Sequence, residues 1–342
     1  MTEASKGFRA GDLARFAVAL LISGLAIWLL FRQIDVQAFL NAFRSLTPLM
    51  MILIIACFTV GLLVRGVVCW LILGKEFTFS AAFWAMNVGY MLNSILPLRL
   101  GEVGRAVLLV RQGKGKHNYP EVFAAIVTER MMDLMIGSLF FLATLPLMVG
   151  ESNLKRVVII TAIALLIGSV IIFISARRRE SLIGWLDHRF GSKKLIKNKI
   201  LPALDKLLTG FQIFLKPKLF FTAFLLLAIS WAMSMVEFGI LQHAILDHAQ
   251  LWWPLLITPA SAFVNALPSA PAGLGVFEAG AVAAYSLVGV GKADALAMAL
   301  VVHAVQVIIP IFLGMIGIYL MGENLGTLVR SATSQAGGSK LG

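Results

Sequence analysis

The sequence predicts an all-α polytopic membrane protein, with about six full transmembrane helices and two re-entrant helical hairpins in an inverted-topology repeat. Three observations carry this. The chain of 342 residues is 59% hydrophobic and 13% charged, with a mean hydropathy of +0.90, whereas a soluble domain is about 45–50% apolar and about 25% charged. Two apolar stretches are broken in a similar way: 93–105 reads N-S-I-L-P-L-R-L-G-E-V-G-R, and 265–280 reads N-A-L-P-S-A-P-A-G-L-G-V-F-E-A-G. Basic residues also fall mostly in alternate loops, as the positive-inside rule requires.

Several classes drop out early. The net charge of +12 reads by position as cytoplasmic loops, so no nucleic-acid partner is expected. Cys57 and Cys69 fall in one apolar segment at no metal-ligand spacing, so they read as packing residues. No metal or cofactor is expected. The run 16–31 follows Lys6, Arg9 and Arg15 as in a signal peptide, but no small-x-small cleavage site follows. It reads as a retained first helix.

In chain order, helix 1 is about 13–31. Pro48 opens helix 2, about 49–73. Two arms, 77–96 and 101–110, surround Pro97. A full crossing needs about 20 residues, so the short second arm suits a hairpin that enters and leaves on one side. The basic loop 111–117 holds G-K-G-K, but it lacks the Walker spacing of a phosphate loop. Helix 3 is about 119–149, and helix 4 about 157–176. The polar stretch 177–218 interleaves Lys and Arg with Leu182, Ile183, Trp185, Leu186 and Phe190. It suits either an amphipathic helix on an anionic leaflet or a solvated, topology-setting loop. Helix 5 is about 219–241. Arms at 252–267 and 275–290 surround Pro268 and Pro271, and helix 6 is about 293–321. One membrane domain, 1–325, thus holds two repeats, about 49–149 and 219–321. The tail 326–342 is expected to be disordered.

With both termini inside, Lys75, the 111–117 loop, the 177–218 stretch, Arg330 and Lys340 all face the cytoplasm. Only Arg32, Arg44, Lys155, Arg156 and Lys292 face outward. The first hairpin then dips in from the cytoplasm and the second from outside. Transporters built this way bind substrate near the midplane, between broken helices.

Charges in the spans mark the candidate site, because a buried charge costs about 2.5–3.5 kcal/mol even on the mild insertion scale. Arg99 and Arg105 offer guanidinium forks for an anion, and the helix end near Gly101 points free amides at the same place. Glu102 can pair with an arginine or take up a cation or proton. Glu129, Arg130 and Asp133 share a sector of about 100° on helix 3. They line a polar path or form an internal salt bridge. Glu237 shares a face with Ser230 and Ser234. Glu278 is read as the counterpart of Glu102, and it too is a proton-uptake candidate. Asn93 and Asn265 open the two motifs, and Gly273 and Gly275 shape the second. His303 and Gln306 share a face of helix 6 above Pro310, where a kink is expected. The bland alternative is a hydrogen-bonded core histidine. Arg65 reads as snorkelling to the surface.

The motifs P-L-R-L-G-E-V-G-R (97–105), T-E-R-x-x-D (128–133) and P-S-A-P-A-G-L-G-V-F-E (268–278) together resemble the lysylphosphatidylglycerol synthase transmembrane-region family, over about residues 10–325. This resemblance implies a lipid translocase of the bacterial cytoplasmic membrane with two re-entrant hairpins. In bifunctional members a soluble C-terminal domain aminoacylates phosphatidylglycerol. This chain ends soon after helix 6, so that synthase activity is not expected here. Relatives are linked to varied lipids, including hopanoids and polyprenyl-linked sugars.

The expected function is therefore flippase-like movement of an amphipathic, phosphate-bearing lipid between leaflets, without enzymatic catalysis. Arg99 and Arg105 would hold the head group. Glu102, Glu129, Arg130 and Asp133 would line the path, and Gly273, Gly275 and Glu278 would form the outer gate. The alternative is a membrane-embedded enzyme or accessory scaffold acting on a lipid-linked substrate. The expected partners are membrane lipids. A homodimer and a lipid-modifying enzyme partner are compatible with either reading.

Overall fold

The computed structural model describes residues 36–74, 77–96, 100–113, 118–147, 152–193, 196–211, 215–266 and 271–336. The expected helix 1 and Arg99 lie outside the described residues. Thirteen α-helices are present and no strands among the described residues. They are α1 (Val36–Arg44), α2 (Pro48–Leu73), α3 (Phe79–Ile95), α4 (Gly101–Gln112), α5 (Tyr119–Ala143), α6 (Ser152–Arg177), α7 (Arg179–Phe190), α8 (Leu201–Gly210), α9 (Pro217–Ile245), α10 (Trp253–Asn265), α11 (Val276–Leu287), α12 (Lys292–Leu320) and α13 (Leu325–Ala336).

Three of these, α2, α9 and α12, are long and apolar enough to cross a bilayer. Their outer faces expose Ile52, Leu63, Phe221, Leu225, Ile308 and Phe312. Exposed apolar surface on this scale marks a lipid-facing protein. Local signals set the ends. Thr47 accepts from the Met50 amide at 3.4 Å and starts α2 with Pro48 in its first turn. Gly74, at φ 84°, ends it. Pro97 forces Leu96 into an extended conformation, so α3 stops at Ile95. Pro310, where a kink is expected, lies inside α12, and the helix continues through it.

Between helices in lipid, close packing of small residues matters more than hydrophobicity. The glycines show this. A Cβ on Gly101 of α4 would lie 2.0 Å from the Gly89 carbonyl oxygen of α3. One on Gly314 of α12 would lie 2.5 Å from the Met91 Cβ of α3. One on Gly137 of α5 would meet Trp231 of α9 at 2.8 Å and Phe263 of α10 at 3.2 Å.

The pairings obey an exchange rule. Exchanging α2 with α9, α3 with α10, α4 with α11 and α5 with α12 converts each contact into another that is also present. Thus α3–α12 becomes α10–α5, α2–α3 becomes α9–α10, α4–α5 becomes α11–α12, and α2–α9 maps onto itself. At the centre of that last seam Ser230 donates to the Gly61 carbonyl oxygen at 3.2 Å.

The segment from 325 corrects an expectation. It forms helix α13 up to Ala336, buries Leu328 and Ala332, and packs on α4. A glycine- and serine-bearing sequence of low hydrophobicity looks disordered by composition; tertiary packing holds it here.

Candidate functional site

A cavity of about 490 Å³ lies where the two halves meet, walled by α2, α3, α4 and α5 on one side and by α9, α10, α11 and α12 on the other. The residues at 271–273 between α10 and α11 complete it. One wall carries charge. The remainder mixes aromatic side chains, Phe58, Trp231, Phe263 and Phe277 among them, with small, aliphatic and uncharged polar ones.

The charged wall is an ion-pair network. Arg105 of α4 forks onto Glu129 of α5, with N–O distances of 3.2 and 2.6 Å. Both side chains are about 1% exposed, so this pair sits behind the cavity surface. Arg130 donates to Glu129 at 2.6 Å, to Asp133 at 3.2 Å and to the Tyr90 hydroxyl at 3.1 Å. Its guanidinium also lies over the Tyr90 ring, a cation–π contact. Its Nε faces Glu102 at 3.7 Å and makes no hydrogen bond. Asp133 is held from two more helices, by Arg65 of α2 at 2.9 Å and by the Trp231 indole of α9 at 3.0 Å. Three arginines thus meet three carboxylates, which satisfies the condition for charge at bilayer depth.

The opposite wall is uncharged toward the cavity. His303 of α12 contacts a Glu278 carboxylate oxygen at 2.6 Å through Nδ1 and the Ala272 carbonyl oxygen at 3.0 Å through Nε2. Glu278 reaches back to accept from the Gly275 amide at 2.8 Å, capping α11. Phe277 stacks on the imidazole at 4.5 Å.

The two hairpins share one detail. Asn93, at the end of the first arm, accepts from the Gly101 amide at 2.8 Å, eight residues on. Asn265 occupies the same position in the second hairpin, where a Cβ on Gly273 would lie 1.9 Å from its Oδ1. This pairing corrects the expectation that the amide of Gly101 is free for a ligand, because Asn93 already uses it. It also separates Glu102 from Glu278: the first lines the cavity, while the second stands behind His303.

Of the sequence-derived residues, Asn93, Glu102, Arg130, Asp133, Asn265, Gly273, His303 and Gln306 line the cavity. Arg105, Glu129, Gly275 and Glu278 support those that do. Glu237 is fully buried beside Gln306. Sequence reasoning missed Tyr90 and Trp231, and it sent Arg65 to the surface. Arg65 instead bonds Asp133, 68 residues away. An intramembrane arginine requires an acid partner, but one sequence does not say which.

The model of the Lysylphosphatidylglycerol synthase TM region matches residues 16–314. The chain belongs to this family. No curated protein and no solved structure matches it. The family region contains every cavity-lining residue, from Phe58 to Pro310. A lipid-related membrane function follows from that membership.

Proposed function

We propose that the protein is a flippase-like translocase that moves an amphipathic, phosphate-bearing lipid between leaflets. The observation that carries this reading is Arg130. It lines the cavity wall, its side chain 30% exposed, while its buried Nε makes no hydrogen bond and has only a loose 3.7 Å link to Glu102. A phosphate oxygen replaces that link readily, because a guanidinium fork matches phosphate geometry. Glu102 is then the displaced counter-ion. The cavity falls within the range of about 300–1,000 Å³ typical of small-molecule sites. A head group therefore enters, and its acyl chains stay in the bilayer.

The arms of the hairpins have 17, 12, 13 and 12 residues, short of the roughly 20 for a crossing. They support a re-entrant reading, α3–α4 from the cytoplasmic side and α10–α11 from outside, with both termini cytoplasmic in the inner membrane. No covalent step is part of this reading.

The test is movement of fluorescent phospholipids in proteoliposomes. Wild-type protein is expected to equilibrate an anionic phospholipid between leaflets. Arg130→Gln is expected to abolish this, and Glu102→Gln to preserve it. Equal rates for wild type and Arg130→Gln would overturn the head-group assignment. Absence of movement for every lipid offered would favour an accessory role beside a lipid-modifying enzyme.

A further inference from the structure

We infer that His303 and Glu278 form a proton-binding site that latches the 271–273 segment against the cavity. This goes beyond lipid movement, and it stands on the local geometry alone.

A carbonyl oxygen can only accept, so the 3.0 Å contact to Ala272 requires a proton on Nε2. The 2.6 Å contact between Nδ1 and Glu278 requires a second proton between those two atoms. The other oxygen of Glu278 accepts from the Gly275 amide. The closed arrangement therefore holds two protons and no net charge. Remove one to the cavity, which His303 lines, and a lone pair must face either the carbonyl or the carboxylate. Both contacts cannot survive.

The backbone held by this latch is strained. Ala272 has φ 61°, the one non-glycine residue at positive φ among the described residues, and Gly273 and Gly275 follow at 76° and 81°. Such a conformation persists only when its surroundings impose it. The segment packs on α3 of the other half and forms part of the cavity wall. Losing the Nε2 proton thus frees a piece of that wall.

Helices α1, α2, α3, α9 and α11 pack on α12. α11 brings Glu278. α9 brings Glu237, beside Gln306. α2 brings Arg65, Cys57 and Cys69, and α3 brings Tyr90, whose hydroxyl accepts from Arg130. α1 brings Arg44, and α12 itself brings Lys292 and Asp294 near its start. Of these groups, Glu278 is the one hydrogen-bonded to His303 among the described residues.

Hydrogen exchange of the 272–279 amides in nanodiscs tests the latch, after correction for the intrinsic pH dependence of exchange. In wild type, protection is expected to fall roughly tenfold as raised pH removes one of the two protons, the scale of one charge-assisted hydrogen bond. His303→Phe keeps the stack on Phe277 and loses both bonds. Its exchange is expected to be fast at every pH. Glu278→Gln keeps both: its amide donates to Nδ1, its carbonyl accepts from Gly275, and Nε2–H stays on Ala272. Its exchange is expected to stay slow at the high pH at which wild type is fast. A wild type without pH dependence, or a Glu278→Gln variant as fast as wild type at that high pH, would overturn the proposal. Lipid movement is not read in this experiment, so its outcome is independent of the translocase assignment.

Discussion

Arg105 and Arg130 both bond Glu129, yet they predict opposite phenotypes. Arg105 is fully buried and forked, so Arg105→Ala leaves a buried carboxylate without its partner. Breaking such a pair costs about 3–5 kcal/mol. A clear fall in the unfolding temperature of the purified protein is expected, with loss of function following from loss of structure. Arg130 is part-exposed to the cavity, and Arg130→Gln is expected to keep most of the stability while losing lipid movement. Equal thermal shifts for the two variants would refute this division. Outside the membrane the scale changes. Arg179 donates twice to Asp205, at 2.7 Å each, and holds that carboxyl below its ordinary value. The contribution is present at neutral pH and disappears as pH falls through the lowered value of Asp205. Both groups are part-exposed at the surface, so Arg179→Ala is expected to cost no more than about 1 kcal/mol.

The hairpins show what an element owes to one close approach. In the first, a Cβ on Gly101 meets backbone, the Gly89 carbonyl oxygen at 2.0 Å, as well as Asn93. In the second, a Cβ on Gly273 meets only the Asn265 side chain. Gly101→Ala is therefore expected to separate α3 from α4 whatever stands at 93. Gly273→Ala is expected to recover partly in combination with Asn265→Ala, although its φ of 76° keeps a residual strain. Thermal unfolding of the single and double variants distinguishes the two cases. The breaks were legible because proline and glycine act locally: Pro97 ends α3 from the next position. The α13 helix was not legible, since its order comes from Leu328 and Ala332 against α4 and from Arg111, which bonds Glu323 and Ser331. Arg111→Ala is expected to speed amide exchange in α13, and unchanged exchange would show that the packing alone suffices. Likewise the face shared by Glu129, Arg130 and Asp133 follows from helical period. The choice of Arg65 and Trp231 as partners does not, because it depends on how α2 and α9 cross.

Across the whole molecule, the exchange symmetry of the contacts has a mechanical consequence. The α3–α12 seam and the α5–α10 seam are counterparts, so a structure in which they differ in tightness has a mirror state with the roles reversed. Alternating access in inverted repeats works by such rocking about a fixed site. Across the first seam a Cβ on Gly317 would lie 3.4 Å from the Trp84 Cβ, close to the spacing of about 3.5–4.5 Å that a disulfide spans. With Cys57 and Cys69 replaced by alanine, Trp84→Cys and Gly317→Cys place two thiols across that seam. Oxidation ties α3 to α12, and reduction frees them. If the halves must part there to carry a head group, oxidised protein in liposomes moves no lipid, and reductant restores the rate. The same pair joins two elements that both wall the cavity without placing a side chain on the charged wall, so binding at Arg130 remains while movement stops. Undiminished movement in the oxidised protein would mean that this seam stays closed throughout, and that the head group passes by displacement of the hairpins alone.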